Sequence, residues 1–221
     1  MLAEHLKNIP HLKLNLTFPN ECYNEILSVK DFYGLTLKQE FSKELKDVYY
    51  NTNKGHALRS YSGLSKHAYY TPNSNAIDID KRYLKNLTYF NTPTWFKLKE
   101  TTNWIQKNIC EEKNLKMVCL HKMTANSNVG WHSHYDYKEP YHTGIVHISI
   151  NTNNKDISEV ETVDKQIIAK NYPQNECWLF NSWLKHRSIN LGSSPRLHLV
   201  LECDFSDKIF SSVINESLKN V

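Results

Sequence analysis

"RLHLVLEC", residues 196–203, decides the fold. Leu197, Leu199, Leu201 and Cys203 are all apolar and alternate with Arg196, His198 and Val200, which is the two-residue period of a β-strand. One face of this strand therefore meets a packed layer. The other carries a guanidinium and an imidazole, and it faces an interior. A buried arginine without a partner costs on the order of several kcal/mol, and a carboxylate in bidentate contact is its natural remedy. No acidic neighbour is assured by the sequence, so a dicarboxylate ligand would satisfy it.

Runs of the same texture surround it. "LKMVCLHKM" (115–123), "TGIVHISIN" (143–151), "QIIAK" (166–170) and "ECWLFN" (176–181) are short, apolar, partly β-branched and separated by Asn, Gly, Ser and Pro. Helical spacing lies mostly upstream. Asn20 is a plausible cap for a loose helix, Leu37, Phe41, Leu45 and Val48 form one stripe, and Thr92–Pro93 opens a helix running to about residue 112. The tail from residue 206 returns to helical spacing at Phe210, Val213, Ile214 and Leu218. The pattern predicts a single α+β domain with a mainly β core. It comprises a mostly helical or irregular part (1–114), a barrel or two-sheet jelly roll (115–205) and a C-terminal helix (206–221). Residues 59–75, "RSYSGLSKHAYYTPNSN", are a candidate lid.

Composition narrows the partners. With 221 residues, 40% of them hydrophobic, the chain can build a real core. The net charge is only +4 and the lysines are scattered among glutamates, so no basic stripe supports nucleic-acid binding. Five cysteines, widely spaced and without a CxxC pair, read as reduced buried thiols. No window approaches 18 apolar residues and no signal peptide opens the chain, which predicts a soluble, cytoplasmic protein without a membrane span.

The chemistry concentrates in "GWHSHYDYKEPYHTGIVHISI", residues 130–150, which holds four of the chain's eleven histidines. On a strand His132, His134 and Asp136 share a face. Two imidazoles and one carboxylate with open positions form the facial triad of non-haem iron(II). His134 and Asp136 are the favoured pair. His132 would need a carboxylate four residues away, a poorer geometry, and reads as a rim residue. His186 is the candidate third ligand, and Arg196 follows ten residues later.

His-x-Asp, a long gap, His, and then Arg resembles the aspartyl/asparaginyl β-hydroxylase-like branch of the iron(II)/2-oxoglutarate oxygenases, which includes bacterial proline cis-hydroxylases. The resemblance covers residues 118–205. It implies a double-stranded β-helix of cupin-like type, iron(II) on His134, Asp136 and His186, and 2-oxoglutarate with its distal carboxylate on Arg196 and a contact to His147. Dioxygen would be the oxidant and an amino acid, free or in a peptide, the substrate. The arginine that the family usually carries two positions before His147 is replaced here by Ile145. Two other readings stay open: a non-redox, cupin-like metal-binding protein, and a nucleic-acid-binding module with a structural metal. Nothing in the sequence sets an oligomeric state.

Overall fold

The computed structural model describes residues 2–28, 53–60, 88–133 and 142–221. The expected helix at 36–50 and all but the first two residues of the candidate lid lie outside these. Among the described residues there are eleven strands: β1 (His11–Thr17), β2 (Asn53–Ser60), β3 (Phe90–Asn91), β4 (Leu115–Met123), β5 (Ser127–His132), β6 (Thr143–Asn151), β7 (Asp156–Glu161), β8 (Ile167–Lys170), β9 (Glu176–Phe180), β10 (Lys185–Asn190) and β11 (Arg196–Asp204). The helices are α1 (Leu2–Leu6), α2 (Asn20–Ser28), α3 (Pro93–Lys97), α4 (Lys99–Asn108) and α5 (Lys208–Leu218).

The strands form two antiparallel sheets. The major sheet runs β1-β9-β6-β11-β4-β2-β3 and the minor sheet β5-β10-β7-β8. From β4 onward the chain crosses from one sheet to the other at almost every connection, which is the winding of a jelly roll. Strand β11 sits between β4 and β6, and its alternation divides as expected. Leu197, Leu199, Leu201 and Cys203 join the core beneath the helices, with Leu12, Leu14, Ile105, Val146, Ile148, Phe210 and Ile214. Arg196 and His198 are fully buried on the opposite, inter-sheet face.

The N-terminal part supplies more sheet than its residues led us to expect. "HLKLNLT" alternates strictly, buries Leu12 and Leu14, and pairs with β9 as an edge strand. Strand β2 pairs with β4 on the other side. The helix expected from Thr92 onward is two helices. Leu98 leaves helical geometry (φ −97°, ψ 62°) so that its side chain can be fully buried, and α4 restarts behind it. Pro93 opens α3 as expected, but Thr92 does not cap it with its side chain. Its hydroxyl donates instead to the Ala57 carbonyl of β2 at 2.9 Å, tying helix to sheet. Asp207 caps α5 and is itself buried.

Candidate active site

The inter-sheet face carries a polar interior. Arg196 at the start of β11 donates through Nη1 to Asp156 Oδ1 of β7 at 2.8 Å, with both side chains buried. The acidic neighbour that the sequence did not assure is thus supplied by the protein itself, from the facing sheet. Its remedy is partial. Nε and Nη2 of Arg196 are buried and have no hydrogen-bond partner among the described residues. Together they form one edge of the guanidinium fork, the edge that takes a carboxylate in bidentate fashion. Leaving a buried donor unmade costs about 1–3 kcal/mol, so an edge of this kind fits a ligand carboxylate.

The second carboxylate oxygen, Asp156 Oδ2, accepts from Thr152 Oγ1 at 3.1 Å and faces His198 Nε2 at 3.2 Å. A carboxylate can only accept, so Nε2 of His198 carries the proton. Ser149 Oγ, 3.1 Å from the same nitrogen, accepts as well, since its own hydrogen goes to the Tyr172 carbonyl. Nδ1 of neutral His198 is then an acceptor, and its neighbour at 3.3 Å is Nδ1 of His147. His147 donates there, which leaves its Nε2 as the accepting nitrogen. The result is a chain Asp156–His198–His147 running across three strands.

Electrostatics keep this chain in one protonation state. Burial, and then Arg196, pull His198 down to about 4 against the raising pull of Asp156. His147 and His121 are lowered well below the ordinary histidine value, first by burial, then by His198 and Arg196 for His147 and by Arg196 for His121. For Asp156 burial works upward, but Arg196 and His198 overcome it and hold the carboxyl well below its usual range. The interior thus pairs one guanidinium with one carboxylate among neutral imidazoles. Tyr172, with its hydroxyl 2.7 Å from His11 Nδ1, stacks on Trp178 and closes one side.

Toward the other end, the His147 ring packs against Phe180 at 5.2 Å, and Phe180 against His186 at 4.7 Å. His186 is buried at the start of β10, and its Nδ1 donates to the Leu184 carbonyl at 2.8 Å. The β5–β10 register places His132 directly opposite, with ring centroids 4.3 Å apart. His132 Nδ1 likewise donates to a carbonyl two residues back, that of Gly130, at 2.7 Å. A carbonyl on Nδ1 fixes the tautomer in which Nε2 presents its lone pair to a metal.

Of the sequence-nominated residues, His186, His147 and Arg196 therefore line one interior, while His134 and Asp136 lie outside the described residues. His132, read from sequence as a rim residue, is the histidine that the register sets against His186. Among the described residues no group of three ligand-type side chains is assembled for a metal. Ile145, at the position of the family's usual arginine, packs in a small apolar cluster with Cys119 and Val200. Asn181 and Trp183 serve the scaffold: Asn181 donates to the carbonyls of Leu6 and Ile9, and Trp183 packs on Phe205. The sequence reading missed Asp156, Ser149 and Tyr172.

No family model and no curated protein matches the sequence. Solved structures resemble its fold. AviO1 from Streptomyces viridochromogenes Tue57 superposes with a TM-score of 0.52 at 11% identity, covering 92% of this chain and 93% of that one. The fold is a double-stranded β-helix. Weaker likenesses include a prolyl-4-hydroxylase from Pseudomonas putida (TM-score 0.44, 11% identity, 92% of this chain and 98% of that one). Another is an oxidoreductase of the 2OG-Fe(II) oxygenase family from Burkholderia pseudomallei (TM-score 0.42, 11% identity, 53% and 59%). In double-stranded β-helix terms β4, β11, β6 and β9 are the major core strands and β5, β10, β7 and β8 the minor ones. β1, β2 and β3 extend the major sheet at its two edges. No helix among the described residues is long and apolar enough to cross a membrane, and all five cysteines are buried free thiols.

Proposed function

We propose that the chain is an iron(II)- and 2-oxoglutarate-dependent dioxygenase that hydroxylates an unactivated carbon of an amino acid, free or within a peptide. The observation that carries this reading is the buried Nε/Nη2 edge of Arg196, which has no hydrogen-bond partner among the described residues and is the edge that pairs with a carboxylate. His186, with His134 and Asp136, would hold the metal. When bound, iron(II), 2-oxoglutarate and dioxygen would supply oxidative decarboxylation to succinate coupled to hydroxylation.

The chain's own part is to bind and to exclude. Arg196 fixes the distal carboxylate through Nε and Nη2 while Nη1 stays on Asp156. His147 stands between that anchor and the metal end, its Nε2 available to a ligand donor or to a proton. Tyr172, Trp178 and Phe180 wall the interior and keep bulk water from it. A second ligand assignment, His132 in place of His134, is favoured by the register that sets His132 opposite His186 with ring centroids 4.3 Å apart.

Anaerobic addition of iron(II) and 2-oxoglutarate should raise a weak visible charge-transfer band, and His186→Ala and Arg196→Ala should both abolish it. A panel of amino acids and peptides, read by succinate formation, then finds the substrate. Metal binding that is indifferent to Arg196, with no band and no succinate, would instead favour the non-redox cupin-like reading. Salt-sensitive association with nucleic acid would point to the binding-module reading.

A further inference from the structure

Arg196 already has a counterion. Asp156 neutralises it from the facing sheet, and His121, His147 and His198 are neutral around the pair. A dicarboxylate whose far end takes the Nε/Nη2 edge brings a second negative charge beside Asp156 in a region closed to water. Two carboxylates on one buried guanidinium repel, and the least costly relief is a proton from solvent on a neighbouring base. The base is in place. His198 bonds Asp156 through Nε2 and His147 through Nδ1, which leaves Nε2 of His147 as the nitrogen able to accept.

We propose that Asp156 is an internal competitor for Arg196, and that an anionic ligand seats there only together with uptake of a proton by the His147–His198 pair. This makes Asp156 a positioning residue that sets both the affinity for a dicarboxylate and its dependence on pH. The inference rests on reading the interior as a 2-oxoglutarate site. Among the described residues, the charged and titratable groups around the pair are Arg196 from β11, His121 from β4, Asp156 from β7, His186 from β10 and Tyr172 from the segment before β9. The Phe180 ring packs against both His147 and His186, and the influence of His186 on His147 is electrostatic.

Calorimetric titration of the anaerobic, iron(II)-loaded protein with 2-oxoglutarate, in buffers of different ionisation enthalpy at pH 6.5, reads the proton directly. Uptake approaching one proton per ligand is expected, with affinity weakening as pH rises toward 8. Asp156→Asn should abolish the uptake and tighten binding by about tenfold or more, because the ligand then supplies the only counterion to Arg196. Tight binding to the wild-type protein without proton uptake overturns the inference and leaves the proposed function standing. Weaker binding to Asp156→Asn with uptake unchanged marks Asp156 as merely structural and also overturns it. If 2-oxoglutarate does not bind the wild-type protein at all, the proposed function and the inference fall together. The wild-type titration needs no variant, so it decides even if Asp156→Asn does not fold.

Discussion

His198 shows how a single buried residue ties the interior to pH. Burial and Arg196 lower it from 6.5 to about 4 in the folded chain. Between those values the unfolded chain binds a proton that the native chain refuses, so stability falls as pH drops through the window. The interval corresponds to on the order of 3 kcal/mol. His11, also lowered to about 4 by burial, and His121 and His147 act in the same direction. Asp156, held below the carboxylate range, withdraws its contribution only at more acid pH. Urea midpoints should therefore be level near pH 8 and decline steadily from about pH 6.5 to 4.5, and His198→Gln should flatten part of that slope. A midpoint that does not move between pH 7 and 5 would mean that these imidazoles are not held neutral by burial. The sequence made His198 legible as an inward residue, since its parity on the strand is unambiguous. It left Asp156 illegible, because the partner of Arg196 stands forty residues away on the opposite sheet and no local spacing encodes that approach.

At the scale of elements, the chain's periodicities were legible wherever packing agreed with them. The strands at 115–123, 143–151 and 196–204 and the C-terminal helix follow their apolar spacing because one face of each meets the large core. Where a tertiary contact competed, the local signal lost: Thr92 bonds the Ala57 carbonyl rather than capping α3, and burial of Leu98 divides one periodic stretch into two helices. The strand at His11–Thr17 had a clean alternation that a reading concentrated on helices passed over. Asp207 combines both levels. Its Oδ1 accepts from the Phe210 N–H at 2.9 Å as the cap of α5, and its Oδ2 accepts from the Glu111 N–H at 3.1 Å and from Asn114 Nδ2 at 2.8 Å. An ordinary cap contributes about 1 kcal/mol. Asp207→Ala removes the cap and leaves two further donors without their acceptor, so a loss of about 2–4 kcal/mol is expected in urea unfolding. A loss of less than 1 kcal/mol would mean that water replaces the carboxylate at all three donors.

The whole molecule brings together what no element holds alone. His132 and His186 are separated by more than fifty residues, yet the winding of the jelly roll makes β5 and β10 neighbours and brings the two rings together, centroids 4.3 Å apart and tilted at 57°. The sequence nominated His186 as the partner of His134 and Asp136, which lie outside the described residues. Which early histidine it meets depends on the strand register, and the β5–β10 pairing contains an irregularity between His186 and Ser188 that parity counting cannot anticipate. A metal bridging these strands would bind the folded chain and not the unfolded one, and it would raise the thermal midpoint by mass action. At a hundredfold excess over its dissociation constant the stabilisation is about 2.7 kcal/mol. Cobalt(II), added to metal-free protein, should give such a rise together with visible d–d absorption, and His186→Ala should remove both. His132→Ala and His134→Ala then distinguish the two ligand assignments: the variant that loses the absorption has lost the ligand, and the one that keeps it has altered only a neighbour. Retention of both signals in His186→Ala would place the metal elsewhere and remove the basis for joining the two strands through it.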